Sequence, residues 1–216
     1  MKIIIVYDNT VYNKDKNLKS DWGFGCIIKD KNDLILFDTG AKGNVLLKNM
    51  EKLDINPLLI SKIIISHEHW DHNGGLEKLK NNIKKNIKIY RLTNNEKDDI
   101  SYICINEPFR ISKNIYSTGR LTGIPVDEQS LILKGNKGFF VLVGCSHSGV
   151  KNIFEKAKKY GEIKGIIGGL HGFSDFKILN KLDLICPLHC TKYKEKIYQT
   201  YPDKVIEGGV GKIIDL

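Results

Sequence analysis

Arginine is scarce in this chain. Only Arg91, Arg110 and Arg120 stand beside a large lysine excess, and the formal net charge is +9. Nucleic-acid grooves recruit arginine for its planar fork and gather it with aromatics into one patch. Here the basic residues are scattered through "KDKNLK", "KLKNNIKK" and "KAKKYG". That pattern reads as a solvated surface, argues against a nucleic-acid partner, and is compatible with attraction of small anionic substrates. No apolar run approaches the roughly 20 residues of a membrane helix, so no membrane association is expected. The opening "MKIIIVYDN" carries one lysine and too short an apolar run for a secretory signal; it reads as a first strand, and a cytoplasmic location is the expectation. Repeats and low-complexity linkers are also missing. With 216 residues, 41% hydrophobic and 27% charged, the chain is expected to form a single domain over 1–216.

The five cysteines, Cys26, Cys104, Cys145, Cys186 and Cys190, are odd in number and lack the spacing of a disulfide scaffold. Reduced thiols follow. "CPLHC" at 186–190 has no second paired-cysteine motif to complete a structural zinc knuckle. Cys145 and Cys190 sit beside histidines; buried packing at strand ends is their simplest role, with ligand tuning or oxidation sensitivity as the functional alternative. "GGVGK" at 208–212 is too short for a phosphate loop and reads as a turn into the last strand.

What the chain does have is a series of isoleucine- and valine-rich runs with little alternation: 2–8, 23–30, 33–40, 62–66, 87–92, 130–135, 138–144, 163–169, 182–187 and 204–208. Such runs predict strands covered on both faces. Helical spacing falls between them. In "NVLLKNMEKL", Val45, Leu46, Asn49, Met50 and Leu53 share a stripe; in "GVKNIFEKAKKYG", Val150, Ile153, Phe154 and Ala157 do, with Gly161 as the stop. Shorter helices are expected from Gly75 through Leu79 and after Thr191. Residues 93–128 read as loops and short strands bordering a site. The mixture predicts a layered α/β protein.

The six histidines carry the functional signal. His67, His69 and His72 lie in "SHEHWDHNGG"; His147, His171 and His189 lie in "VLVGCSHSG", "IIGGLHG" and "LICPLHC". Each follows an apolar strand-like run, and the carboxyl ends of strands are where α/β sites are built. A lone histidine is usually a surface or satisfied core residue; six at strand exits point to a shared metal site. Residues two apart in an extended segment project the same way, so His67 and His69 can grip one ion. If a helix starts near Trp70, Asp71 and His72 face a second position. Imidazole and carboxylate donors suit zinc, iron or manganese, and a site without thiolates is more often catalytic than structural. Small residues in "NGG" suit close backbone packing.

"HEHWDH" resembles the His-x-His-x-Asp-His signature of the metallo-β-lactamase-fold superfamily, and "LILFDTG" resembles the Asp-Thr-Gly strand end that precedes it. The resemblance covers nearly the whole chain and implies a four-layer αββα sandwich with a two-metal centre at one edge of the sheets. It implies that His67, His69 and His147 hold the first metal, and that Asp71, His72 and His189 hold the second. Asp38 would be a buried acid orienting the ligand loop. Asp71 would also contact the nucleophilic water. Zinc is the expected metal, with iron, manganese or magnesium as alternatives. Many members carry a bridging aspartate at the end of the next strand. The matching "IIGGLHG" offers His171, so either water alone would bridge the metals or His171 would bind one metal or substrate, or stabilise the departing group; Asp175, four residues on, is a weaker candidate for the missing carboxylate. His69 occupies a position where flavo-diiron oxygen reductases of the superfamily have glutamate.

A narrower resemblance rests on "YDN", "WGFGC", "GCSHSG", "GGLH" and "PLHCT". Together they look like the subgroup containing the archaeal methanopterin-pathway dihydropteroate synthase. Three functional readings result. The first is a metal-dependent hydrolase acting on a small, phosphate-bearing molecule. The second is a transferase coupling a pterin-methyl pyrophosphate to a ribofuranosyl-aminobenzene phosphate, with Trp22, Phe24 and Tyr193 lining a pocket for the flat pterin. The third is a metal-binding or sensing module without catalysis.

Overall fold

The computed structural model describes residues 1–31, 33–84, 86–93 and 101–216. They group into two compact units: Met1–Ile105 with Gly208–Asp215, and Asn106–Glu207 with Leu216.

In the first unit the apolar runs become β1 (Lys2–Tyr7), β2 (Gly25–Asp30), β3 (Asp33–Phe37), β4 (Lys62–Ile64), β5 (Lys88–Arg91) and β6 (Tyr102–Cys104), joined by the C-terminal β13 (Ile213–Asp215). They form a seven-stranded mixed sheet in the order β13-β1-β2-β3-β4-β5-β6. Pairing is antiparallel from β13 to β3 and parallel from β3 to β6. Parallel neighbours need crossover connections; helix α1 (Gly43–Lys52) supplies the one from β3 to β4, and α3 (Leu76–Ile83), with a one-turn α2 (Trp70–Asn73) ahead of it, the one from β4 to β5. Leu46 and Met50 of α1 and Leu76, Leu79 and Ile83 of α3 pack with Val6, Ile27, Leu36, Ile63 and Ile89 on one sheet face. The opposite-parity residues Ile3, Ile5, Ile28, Ile35, Phe37 and Ile64 are also fully buried. Burial of both parities is why these strands read as continuous apolar runs.

The second unit holds β7 (Phe109–Arg110), β8 (Ile115–Ser117), β9 (Leu131–Lys134), β10 (Phe139–Val143), β11 (Ile163–Gly169) and β12 (Leu184–Leu188), with helices α4 (Val150–Ala157) and α5 (Lys194–Thr200). Its six-stranded sheet runs β12-β11-β10-β9-β8-β7. The β10–β11–β12 pairs are parallel and the rest antiparallel. Val150, Ile153, Phe154 and Ala157 of α4 and Ile197 of α5 pack with Ile132, Val141, Val143, Ile166 and Ile185. The expected α/β class is therefore observed: two mixed sheets, each with flanking helices. No helix among the described residues is long and apolar enough to cross a membrane.

Two expectations shift in detail. The segment 204–208 is not a regular strand: Val205 makes an isolated bridge to Ile185, and pairing ends before Gly208 and Gly209, the latter at φ 143°. Helix α4 stops at Ala157, and residues 159–161 tighten into i→i−3 bonds such as Tyr160 N–H to the Ala157 carbonyl (3.0 Å), with Gly161 at φ 149°. The short strands expected within 93–128 are present as β6, β7 and β8; residues 94–100 of that stretch lie outside the described residues.

The polar member of the α1 stripe has a structural reason. Asn49 is fully buried. Its Nδ2 donates to the carbonyls of Val6 (2.9 Å) and Lys19 (2.8 Å), and its Oδ1 accepts from Lys19 N–H (2.9 Å). One amide thus ties the loop after β1 to the helix and satisfies backbone groups that would otherwise be stranded. Asn49→Ala is expected to lower the unfolding free energy by about 2–3 kcal/mol in urea denaturation, through the lost bonds and the vacated volume.

Candidate metal centre

The ligand loop of the first unit begins where β4 ends. Beneath it lies Asp38, fully buried at the end of β3 and held at φ 56°. An isolated buried carboxylate is prohibitively costly, so its partners define it. Oδ1 accepts from Ser66 N–H (2.7 Å), and Oδ2 accepts from Ser66 Oγ (2.7 Å) and meets His72 Nδ1 (2.7 Å). Ser66 Oγ in turn lies 2.8 Å from His67 Nδ1. Since the serine hydroxyl gives its proton to Asp38, it receives one from His67 Nδ1–H. One carboxylate therefore sets two tautomers, and both His67 and His72 present Nε2 as a lone-pair donor.

His67 Nε2 and His69 Nδ1 face each other at 3.1 Å. A tetrahedral ion with metal–nitrogen bonds of about 2.0–2.1 Å holds two nitrogens about 3.3 Å apart, so this pair has the spacing of a shared cation. The rings of His67 and His72 lie 4.1 Å apart. Helix α2 begins at Trp70, as the spacing anticipated, and carries Asp71 and His72, both buried. Trp22 Nε1 donates to Asp71 Oδ2 (2.9 Å), and Phe24 N–H donates to the Asp71 carbonyl (3.2 Å). Between the ligands, Glu68 turns the other way, toward Arg91, Thr93 and Asn73. Burial pushes its carboxyl up, yet the bonds from Arg91 and Thr93 outweigh this and hold it below the usual carboxylate range. The loop closes on Gly74 and Gly75. A Cβ there would sit 2.4 Å from the carbonyls of Ala41 and Thr39 respectively, so only glycine allows the backbones to meet.

In the second unit the candidates lie beyond the carboxyl ends of β10, β11 and β12. His147 follows β10 and His189 follows β12, the latter buried and at φ 44°. His171 occupies an exposed turn after β11, and its ring stands edge-on to that of His147 with centroids 4.9 Å apart. Asp175 is exposed at the head of the 3-10 turn Phe176–Lys181. Cys145, His189 and Cys190 each offer a ligand atom within 4.8 Å of the others. The bond with Cys145 holds the Cys190 thiol below its ordinary value, against the opposing effect of burial and with help from His189.

Several supports escaped the sequence reading. Glu128 is fully buried, and its Oε1 accepts from Ser148 N–H (2.8 Å) and Ser148 Oγ (2.6 Å), tying down the residue after His147. Burial pushes its carboxyl above the usual range. It is to the second unit's ligand loop what Asp38 is to the first, but a glutamate in "VDEQS" has no sequence signature of that role. Arg120 and Asp127 brace the same region. Arg120 Nη1 donates to Asp127 Oδ2 (3.0 Å), and Gly123 N–H reaches Oδ1 (3.2 Å). One aromatic expectation is corrected: Phe24 does not line an open pocket but is fully buried, edge-on to Phe37 at 6.3 Å. Trp22 is half-exposed (52%), and Tyr193 packs edge-on to Phe176 at 6.3 Å.

The chain belongs to the metallo-beta-lactamase superfamily, whose family profile matches residues 26–155. It is 30% identical to an uncharacterized protein of Methanocaldococcus jannaschii, covering 99% of this chain and 100% of that one. It is 29% identical to the same organism's 7,8-dihydropterin-6-methyl-4-(beta-D-ribofuranosyl)-aminobenzene-5'-phosphate synthase, over 74% of this chain and 76% of the relative. Among solved structures, a metal-dependent hydrolase of the beta-lactamase superfamily matches with a TM-score of 0.80 at 24% identity, covering 100% of this chain and 99% of that one. This last likeness establishes the fold, and the donor set described above fits the divalent metals that the fold accommodates.

Asp38→Ala strands the donors of Ser66 and His72 and releases both tautomers. It is expected to cost about 3–5 kcal/mol in chemical denaturation and to weaken binding of an added divalent metal about 10–100-fold by chelator competition. Asp127 predicts a pH effect. The Arg120 bond, then the Gly123 N–H, lowers its carboxyl below the ordinary 3.8. Its contribution to stability is therefore complete above that value and is lost as pH falls through the lowered one. Asp127→Asn should flatten this part of the acid limb in thermal melts recorded from pH 5 down to about pH 2.

Proposed function

We propose that this protein is a metal-dependent hydrolase acting on a small, phosphate-bearing substrate, with two divalent ions, zinc foremost, as its cofactors. The observation that carries this reading is the facing pair of His67 Nε2 and His69 Nδ1, on a loop whose tautomers are set by one buried carboxylate. Following the superfamily pattern, His67, His69 and His147 would hold one ion, and Asp71, His72 and His189 the other. A donor set of imidazoles and carboxylate is the catalytic kind rather than the closed thiolate kind. Bound ions of this type supply Lewis acidity and bring the pKa of coordinated water toward about 7. Asp71, tethered by the Trp22 indole, orients the nucleophile and accepts its proton. His171, exposed beside His147, stabilises charge on the departing group. The scattered lysines raise the local concentration of anionic substrate.

A second reading is favoured by the named synthase among the relatives and by Trp22, a half-exposed aromatic plate whose N–H is anchored on Asp71. In that reading an arylamine attacks the pterin methylene carbon and pyrophosphate departs, so no water is consumed.

One comparison separates the readings. Protein loaded with zinc, iron(II) or manganese is assayed on nitrophenyl phosphomonoesters and phosphodiesters, and in parallel on the two pterin-pathway substrates. The hydrolase reading expects phosphoester turnover that falls by about 10²-fold or more in His67→Ala, with metal stoichiometry reduced in the same variant. Coupled pterin product without phosphoester turnover would replace it with the synthase. Metal binding with neither product would leave a non-catalytic metal protein.

A further inference from the structure

Cys145 and Cys190 come from strands that are not neighbours. β10 and β12 flank β11 on either side, and two strand spacings amount to about 9–10 Å, beyond the reach of a disulfide, whose Cα atoms lie about 4.4–6.8 Å apart. Yet the two sulfurs stand 3.2 Å from each other. The gap is closed over the end of β11. A Cβ at Gly169 would lie 2.7 Å from Cys190 Sγ, 3.4 Å from Cys145 Cα and 2.5 Å from the Gly144 carbonyl oxygen. The missing side chain of Gly169 is the space through which Cys190 reaches Cys145. Left-handed backbone at Ser146 (φ 63°) and His189 (φ 44°) marks where the chain bends beside each thiol. Simple packing of two small apolar groups does not require contact this close, and Cys186, the other cysteine of "CPLHC", is buried within β12.

We propose that Cys145 and Cys190 form a dithiol–disulfide couple, a covalent modification site whose closure moves the loops bearing His147 and His189. Cys190 is the more exposed of the pair and Cys145 is 4% exposed, so Cys190 meets the oxidant and Cys145 resolves it. With a hydroperoxide as oxidant, the Cys190 sulfur attacks the O–O bond. It becomes a sulfenic acid, and the other oxygen leaves as water or alcohol. The Cys145 sulfur then displaces the sulfenic oxygen, forming the S–S bond and releasing a water molecule. Two electrons pass from the thiols to the peroxide, and the two thiol protons leave in the products. Closing from 3.2 Å to a bond of about 2.05 Å draws together segments one residue from His189 and two from His147. That movement affects metal retention only if the proposed metal centre is right; the bond itself does not depend on it.

The test is hydrogen peroxide treatment of the metal-free, fully reduced chain, followed by thiol counting after denaturation and by peptide mapping without reductant. Titratable thiols are expected to fall from five to three, the five free cysteines less the bonded two. A Cys145–Cys190 peptide cross-link should appear, and dithiothreitol should restore all five. Cys190→Ser should retain its four thiols, Cys145→Ser should hold Cys190 as an unresolved sulfenic acid that dimedone labels, and neither variant should form such a link. A count that stays at five, a link to Cys186, Cys26 or Cys104 instead, or Cys145 and Cys190 recovered separately oxidised would overturn the couple. Equilibrium dialysis against zinc then reads the coupling. Disulfide-bonded protein should bind about 10-fold more weakly than reduced protein; equal binding by a chain proven to carry the bond would overturn the coupling while leaving the bond.

Discussion

A single buried carboxylate organises the ligand loop. Asp38 cannot stay ionised in the interior of its unit unless donors surround it, and the donors it collects are Ser66 and His72. Through the serine hydroxyl its influence extends to His67. The result is a proton arrangement in which two imidazoles have their Nδ1–H groups committed inward and their Nε2 atoms turned outward. The same bonds that make the acid tolerable in the core select the donor atoms of the site, so stability and chemistry rest on one set of contacts.

The sheets explain why the remaining donors sit where they do. In both units parallel strands lead into the histidine-bearing or carboxylate-bearing turns: β3 into Asp38, β4 into His67 and His69, β10 into His147, β11 into His171 and β12 into His189. Strands buried on both faces are rigid platforms, and the turns at their carboxyl ends are free to take unusual backbone. Asp38, Ser146, His171 and His189 all have positive φ, a conformation that costs non-glycine residues about 1–2 kcal/mol each.

Beneath each ligand loop lies a fully buried acid, Asp38 in one unit and Glu128 in the other, and above β11 lies a thiol pair. In each unit the candidate metal donors thus have chemically responsive groups beside them. In the dithiol couple, redox chemistry in one unit would act on the geometry of two histidines without touching the strands that carry them.

Much of this was legible beforehand. Continuous isoleucine and valine runs announce strands covered on both faces, and the helical stripes of α1 and α4 were visible down to individual residues. "SHEHWDHNGG" declared its histidines because no core or ordinary surface requires that density of imidazole and carboxylate. Strand 204–208 misled because composition cannot see that a glycine pair ends the pairing after one bridge. Phe24 misled because periodicity does not say which aromatic faces solvent. Local composition and spacing by themselves determined most of the strands and helices and marked the histidines at the strand exits, while the superfamily and the candidate ligand sets came from the resemblance of "HEHWDH" and "LILFDTG" to a known signature. Only the tertiary structure decided that Asp38 sets the tautomers of His67 and His72, that Glu128 holds the loop of His147, and that Cys190 meets Cys145 over Gly169. Those are contacts between residues 20 to 45 positions apart, and their energies depend on distance and burial, which no local pattern encodes.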